Sequence, residues 1–220
     1  MTAGVDRGRV AAVVRELLAA IGEDPDREEL AGTPGRVADA YAEFFAGVGV
    51  DPLTHLSDAV PVGDETGELV LVRDIALRSV CEHHLLPFRG RAHVAYRPGA
   101  RVVGLGAIPK VVNTLAARPQ VQERLGEQIA ETLQQGLSPE GVLVVLEASH
   151  GCVADRGGRQ TEALVVTIAS RGALARTAER AEVMALIARG ADDERHRAYA
   201  AHVPASAQTP ASSHGDRTPR

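Results

Sequence analysis

The residues best suited to chemistry lie in Ser79-Val80-Cys81-Glu82-His83-His84 and, far along the chain, in His150-Gly151-Cys152. Two residues separate Cys81 from His84, a spacing at which one tight turn can present a thiolate and an imidazole to a single Zn²⁺. Cys152, read as the end of a strand, is a third ligand candidate. Catalytic zinc sites use three protein ligands and keep a fourth position open for water. A closed structural site would want a fourth protein ligand in a pair such as Cys-x-x-Cys near Cys152, and the sequence has no other cysteine there. His150 precedes Cys152 by two residues, so on a strand both side chains face one way. It is therefore either a fourth ligand or an acid/base beside the open position. Taken singly these signals are weak: a lone strand cysteine is usually a small hydrophobe, and His93 reads as an ordinary core histidine. The coincidence of Cys81, His83, His84, His150 and Cys152 is what carries the metal reading.

Composition sets the background for such a site. Hydrophobic residues make up 45% of the 220 residues, enough for a folded core, while aromatics are only 3% and tryptophan is absent, so the core must rest on Val, Leu, Ile and Ala. A net charge of −5 argues against an electrostatic nucleic-acid binder. An anionic ligand would need a local basic pocket. No apolar run approaches the roughly 20 residues that span a bilayer. The N-terminal MTAGVDRGRVAAVV lacks the pattern of a secretory signal. Two cysteines in such a chain suit metal or catalysis better than a disulfide. The expectation is a cytoplasmic protein that binds neither membrane nor nucleic acid.

The elements that must position these residues follow from periodicity. Val10, Val13, Val14, Leu17, Leu18 and Ile21 predict a helix from Asp6 to Ile21. Thr33 reads as an N-cap with Pro34 at the first helical position of a second helix, striped by Val37, Ala40, Tyr41, Phe44 and Phe45. Residues 46–68 read as a long connection. LVLVRDIALRS and RGRAHVAYR predict strands, followed after Pro98-Gly99 by a short RVVGL strand. Helices are expected over 107–117 and 119–135, then the strands VLVVLEASHGC and EALVVTIAS, then a last helix marked by Val183, Leu186 and Ile187. The tail after His202 is Pro-, Ser- and Ala-rich without periodicity and reads as disordered. The pattern is α+β with antiparallel hairpins. The boundaries drawn are a helical region at 1–66, a main domain at 67–192 and a tail at 193–220.

Several of these stretches together resemble one family. CEHH at 81–84, RPQVQERL at 118–125, the His-x-Cys and later Arg-Gly of 150–157, and TPGR at 33–36 match the GTP cyclohydrolase I family in order and spacing. The resemblance covers roughly residues 8–190. It implies the tunnelling fold, an antiparallel sheet with two helices packed on one face, preceded by N-terminal helices. It implies an enzyme that hydrolytically opens the guanine imidazole ring at C8 of GTP, releases formate and forms 7,8-dihydroneopterin triphosphate, the first step of folate and pterin biosynthesis. By resemblance Cys81, His84 and Cys152 bind Zn²⁺, and His83 and His150 are the catalytic acid/base pair, suited by ordinary pKa values near 7. Glu123 and Gln122 belong to the guanine-binding segment, where a carboxylate suits an edge offering only donors. Arg36, Lys110 and Arg156 are implied triphosphate contacts. Family members assemble as homodecamers.

The sequence departs from the family after Gly104-Leu105. Where the family usually has Ser-Lys and, two residues later, Arg, this chain has Gly106, Ala107 and Lys110. EALVVTIAS is also more apolar than the Ser/Thr-rich strand common in the family. The metal and acid/base set is intact while the phosphate set is thinned. That leaves a diverged cyclohydrolase acting on a guanine-type nucleotide with altered phosphates or base as a second reading. A non-catalytic zinc- or nucleotide-binding regulatory subunit is a third.

Overall fold

The computed structural model describes residues 4–62 and 69–202, with side chains of the last helix described through Arg189. Contacts divide the chain into two units, Met1–Ala181 and Glu182–Arg220. All the residues that sequence reasoning singled out for chemistry fall in the first unit.

Helix α1 (Arg7–Ala20) starts where Asp6 caps it, its carboxylate accepting from the Arg9 N–H at 2.9 Å. Helix α2 (Thr33–Phe44) begins one residue earlier than expected, with Gly32 at the cap and Thr33 already helical. The reason is local: the Thr33 hydroxyl accepts from the Arg36 guanidinium at 3.0 Å instead of capping the backbone. The connection expected over 46–68 contains a 3₁₀ turn, Pro52–Leu56, capped by Asp51, and a short strand β1 (Val60–Pro61). Residues 63–68 lie outside the described residues.

The core is a five-stranded sheet built from β2 (Val70–Cys81), β3 (Pro87–Arg97), β5 (Pro119–Gln120), β6 (Gly141–His150) and β7 (Val165–Gly172). Their order is β5-β2-β3-β6-β7. All pairings are antiparallel except β5 with β2. The short β4 (Arg101–Val102) pairs with β1. Helices α3 (Ala107–Ala116) and α4 (Gln122–Leu137) pack on one face of the sheet. The stripes Ile108, Val111, Val112, Leu115 and Leu125, Ile129, Leu133, Leu137 meet Leu77, Phe88, Val94, Val144 and Leu146. This is the α+β arrangement expected from the sequence.

Three local features decide where the chemistry goes. The first is a bulge in β2: Val72 pairs with Val94 and Ile75 with Ala92, so β2 carries one extra residue there. Asp74, in the bulge, has a left-handed φ of 58°, and its N–H donates to Nδ1 of the buried His93 at 3.3 Å. His93 is thus a satisfied core histidine, as read. The second corrects the helix expected from residue 119. Arg118 precedes a proline, which disfavours helical backbone, and Pro119-Gln120 instead run parallel to Val80-Cys81, so α4 starts at Gln122. The third concerns Cys152. It does not end a strand; β6 stops at His150, and Cys152 sits in a single helical turn, α5 (Gly151–Ala154).

Helix α6 (Thr177–His202) takes in residues 193–202, which the sequence boundary placed in the tail. The disorder expected beyond His202 falls on residues 203–220, outside the described residues. Among the described residues no helix is long and apolar enough to cross a membrane.

A cysteine–histidine cluster and its surroundings

Cys81 ends β2 and opens the turn into β3. Its N–H donates to the Leu86 carbonyl and its own carbonyl accepts from the Leu85 N–H, both at 2.8 Å. Leu85 pays for this tight reversal with a left-handed φ of 54°. The turn brings His84 back toward Cys81, with Nδ1 4.0 Å from the sulfur. The Glu82 N–H donates to the Gln120 carbonyl at 3.0 Å, so β5 anchors the turn from the α4 side.

Cys152 comes to the same end of the sheet by way of β6. Phe88 pairs with His150 across β3 and β6, which sets α5 against the start of β3. The approach is close: a Cβ on residue 151 would lie 3.0 Å from the Pro87 carbonyl oxygen, so Gly151 permits it. Cys81, His84 and Cys152 then place their ligand atoms within 4.8 Å of one another. Donors around a tetrahedral zinc stand about 3.5–3.8 Å apart, so modest closure would seat the ion. The charges also fit. Burial raises the Cys152 thiol pKa, and Cys81 raises it further, while Arg156 opposes both. Two thiolates this close need a cation between them, and two soft sulfurs with one imidazole suit Zn²⁺. The expectation that His150 and Cys152 share a strand face fails because Cys152 is helical. Among the described residues, His150 is not in the group that could hold a metal.

His150 is fixed by other neighbours. Its ring stacks on Phe88, centroids 4.7 Å apart and planes 11° from parallel. Its Nε2 lies 2.7 Å from Oε1 of the buried Gln122. Burial lowers its pKa, with Glu123 partly offsetting the effect, which places Glu123 within electrostatic reach of the ring. His83 is exposed, with Nε2 3.8 Å from Oε1 of Glu82. Arg124 grips that carboxylate through both terminal guanidinium nitrogens, at 2.5 and 3.0 Å, and holds its pKa low. Sequence reasoning did not find Phe88 or Arg124. Phe88 reads as one more apolar strand residue, and Arg124 as a charge on an exposed helix face.

The expected phosphate contacts are distributed differently. Arg156 lies beyond α5 and is close enough to influence Cys152. Lys110 lines a separate cavity of about 290 Å³ with His55, Asp58, Gly104 and Gly106. Arg36 lies in the first turn of α2 and contacts Thr33.

Residues 10–188 match the model of a family described as GTP cyclohydrolase I. The chain belongs to that family. The GTP cyclohydrolase 1 of Leifsonia xyli subsp. xyli is 61% identical over 188 residues, 86% of this chain and 98% of that protein. That of Rhodopirellula baltica is 50% identical over 188 residues, covering 85% of this chain and 81% of the relative. That of Streptomyces griseus subsp. griseus is 52% identical over 184 residues, covering 83% and 90%. The family match spans the described cluster and both helices packed behind it.

Proposed function

We propose that this chain is a zinc-dependent GTP cyclohydrolase I: it opens the guanine imidazole ring of GTP at C8, releases formate and yields 7,8-dihydroneopterin triphosphate. The observation that carries the reading is the convergence of Cys81, His84 and Cys152 beside a histidine, His150, that is held in place without joining them. Zn²⁺ held by those three would supply Lewis acidity that brings the pKa of a water toward neutrality. His150 moves a proton to or from the imidazole nitrogen of the guanine, and His83 serves the later proton transfers. Glu123 accepts from the N1–H and exocyclic amine of guanine, an edge that offers only donors. Arg36, Lys110 and Arg156 neutralise the triphosphate.

Lys110 on α3 and Arg36 on α2 belong to elements that carry none of the three candidate ligands. That distribution supports a homo-oligomer, a decamer by resemblance, in which copies complete one another's sites. A cytoplasmic location belongs to the same reading, since ligand thiols must stay reduced. Gly106 and Ala107 favour the second reading, a relative that has moved to a guanine nucleotide with different phosphates. Formate release and pterin fluorescence, measured side by side with GTP, GDP, GMP and guanosine, separate the two. GTP as the best substrate supports the first reading; a better reaction with GMP supports the second; no product from any of them overturns both.

A further inference from the structure

Gln122 is 1% exposed, yet its amide is fully engaged inside the chain. Nε2 lies 3.0 Å from the Leu146 carbonyl, 2.9 Å from the Val165 carbonyl and 3.2 Å from the Thr167 hydroxyl. Carbonyl oxygens only accept, so they fix which end of the amide is nitrogen; the flipped amide would set oxygen against oxygen. Oε1 therefore faces His150, 2.7 Å from its Nε2. An amide oxygen cannot donate, so His150 Nε2 must carry the hydrogen. Phe88 stacks flat on the ring and keeps it in the plane that makes this bond. His150 Nδ1 has no hydrogen-bond partner among the described residues.

We infer that Gln122 is a positioning residue that locks the His150 ring with hydrogen on Nε2, so that Nδ1 is the only nitrogen able to exchange a proton with the substrate. The assignment rests on the hydrogen bond alone: Nε2–H is donated to Gln122 Oε1, which leaves Nδ1 as the nitrogen turned away from it. It differs from a guanine contact for Gln122, whose side chain is 1% exposed and held by the Leu146 and Val165 carbonyls, Thr167 and His150. The inference rests on the proposed acid/base role of His150 for its kinetic consequence, although the hydrogen bond itself does not.

The primary test uses the zinc-loaded wild-type protein, labelled with ¹⁵N-histidine and sedimented for solid-state NMR, with His150→Gln identifying the His150 signals. The expected result is a single ring form with hydrogen on Nε2. A ring with hydrogen only on Nδ1, or an even mixture, would overturn the inference whether or not the protein turns over GTP. The kinetic test uses Gln122→Met, which fills the space without an amide. The expected result is a fall in kcat of about tenfold or more, within the range of a displaced general acid/base, with KM for GTP little changed and a mixed ring form appearing. A raised KM with kcat intact would make Gln122 a substrate contact and remove it from this role. Should Gln122→Met not fold, the wild-type ring signal alone decides. A wild-type protein that shows the expected ring form but makes no pterin defeats the functional reading and leaves the Gln122–His150 assignment standing.

Discussion

Phe88 and His150 face each other across the β3–β6 pair, with their rings nearly parallel and 4.7 Å apart. Phe88 is almost wholly buried in the core beneath the helices, so the histidine rests on a plate that cannot move without disturbing that core. Truncation to alanine would open a cavity costing about 3–5 kcal/mol and would report mostly on folding. Phe88→Leu is more informative. Stacking of this kind contributes about 0.5–1.5 kcal/mol, so if the loss falls on the transition state kcat drops roughly two- to tenfold. Zinc content should be unchanged. Loss of metal in Phe88→Leu would mean the plate supports α5 rather than the ring.

Cys152→Ala should reduce zinc from one ion per subunit to a small fraction, because two remaining ligands cannot hold a tetrahedral site. Metal analysis of the purified, dialysed variant checks this. Full retention would remove Cys152 from the ligand set.

His83→Ala and His150→Ala should both keep zinc and lose about 10²-fold or more in turnover. Neither belongs to the group whose ligand atoms converge. A collapse in metal content for either would make that histidine a ligand.

The phosphate stretch offers a gain-of-function test. Gly106 has ordinary helical backbone, and a Cβ there would meet nothing within 4 Å. A side chain at 106 is therefore accommodated, while Ala107 is half-buried against the core, so the added lysine must extend outward from there. One charge-assisted contact contributes about 1.5–3 kcal/mol, and a lysine at a helix N-terminus gives back about 0.3–1 kcal/mol. KM for GTP should fall about tenfold with kcat less affected, since the phosphates are remote from C8. No change in KM, together with faster reaction of GMP than GTP, would favour the diverged reading.

His93 gives a pH dependence. Burial holds its pKa below the ordinary 6.5, with Asp74 and Glu147 pulling it back up and Arg91 and Arg73 adding to the depression. The folded chain thus prefers the neutral ring. As pH falls through about 6.5 the unfolded chain takes up the proton first, and stability drops until the folded-state pKa is also passed. Wild-type protein should lose more thermal stability between about pH 7.5 and about pH 5.5 than His93→Gln. Equal losses would show that the ring contributes nothing to this window.

Much of the site was legible because metal chemistry dictates residue types and short spacings. Cys81, His84 and the pairing of His150 with Cys152 stand out in the sequence, and so do the apolar stripes of α3 and α4. What was hidden depends on partners distant along the chain. Nothing local says that Pro119-Gln120 will lie beside Cys81, that Gln122 will reach across two strands to His150, or that Phe88 will be the residue under that ring. Cys152 was misplaced by a few residues because β6 is so strongly apolar that its pattern seems to run on.

The bulge at Asp74 has a reach well beyond its own loop. On the near side of it Val70 and Val72, even-numbered, point into the core; on the far side Ile75, Leu77 and Cys81, odd-numbered, do so. One surplus residue accounts for the change of parity, and both halves of β2 show their apolar edge to the same helices. Deleting one residue at 73 or 74 would remove the surplus and leave an ordinary strand, with a single residue between Val72 and Ile75 and both still on the core face. Removing both would set Val72 next to Ile75 and force one half to face the wrong way: either Val70 and Val72 leave the core, or Cys81 leaves its partner ligands. The strand thus carries a parity rule, and its memory is kept by the His93 ring that grips the Asp74 amide seven positions before Cys81.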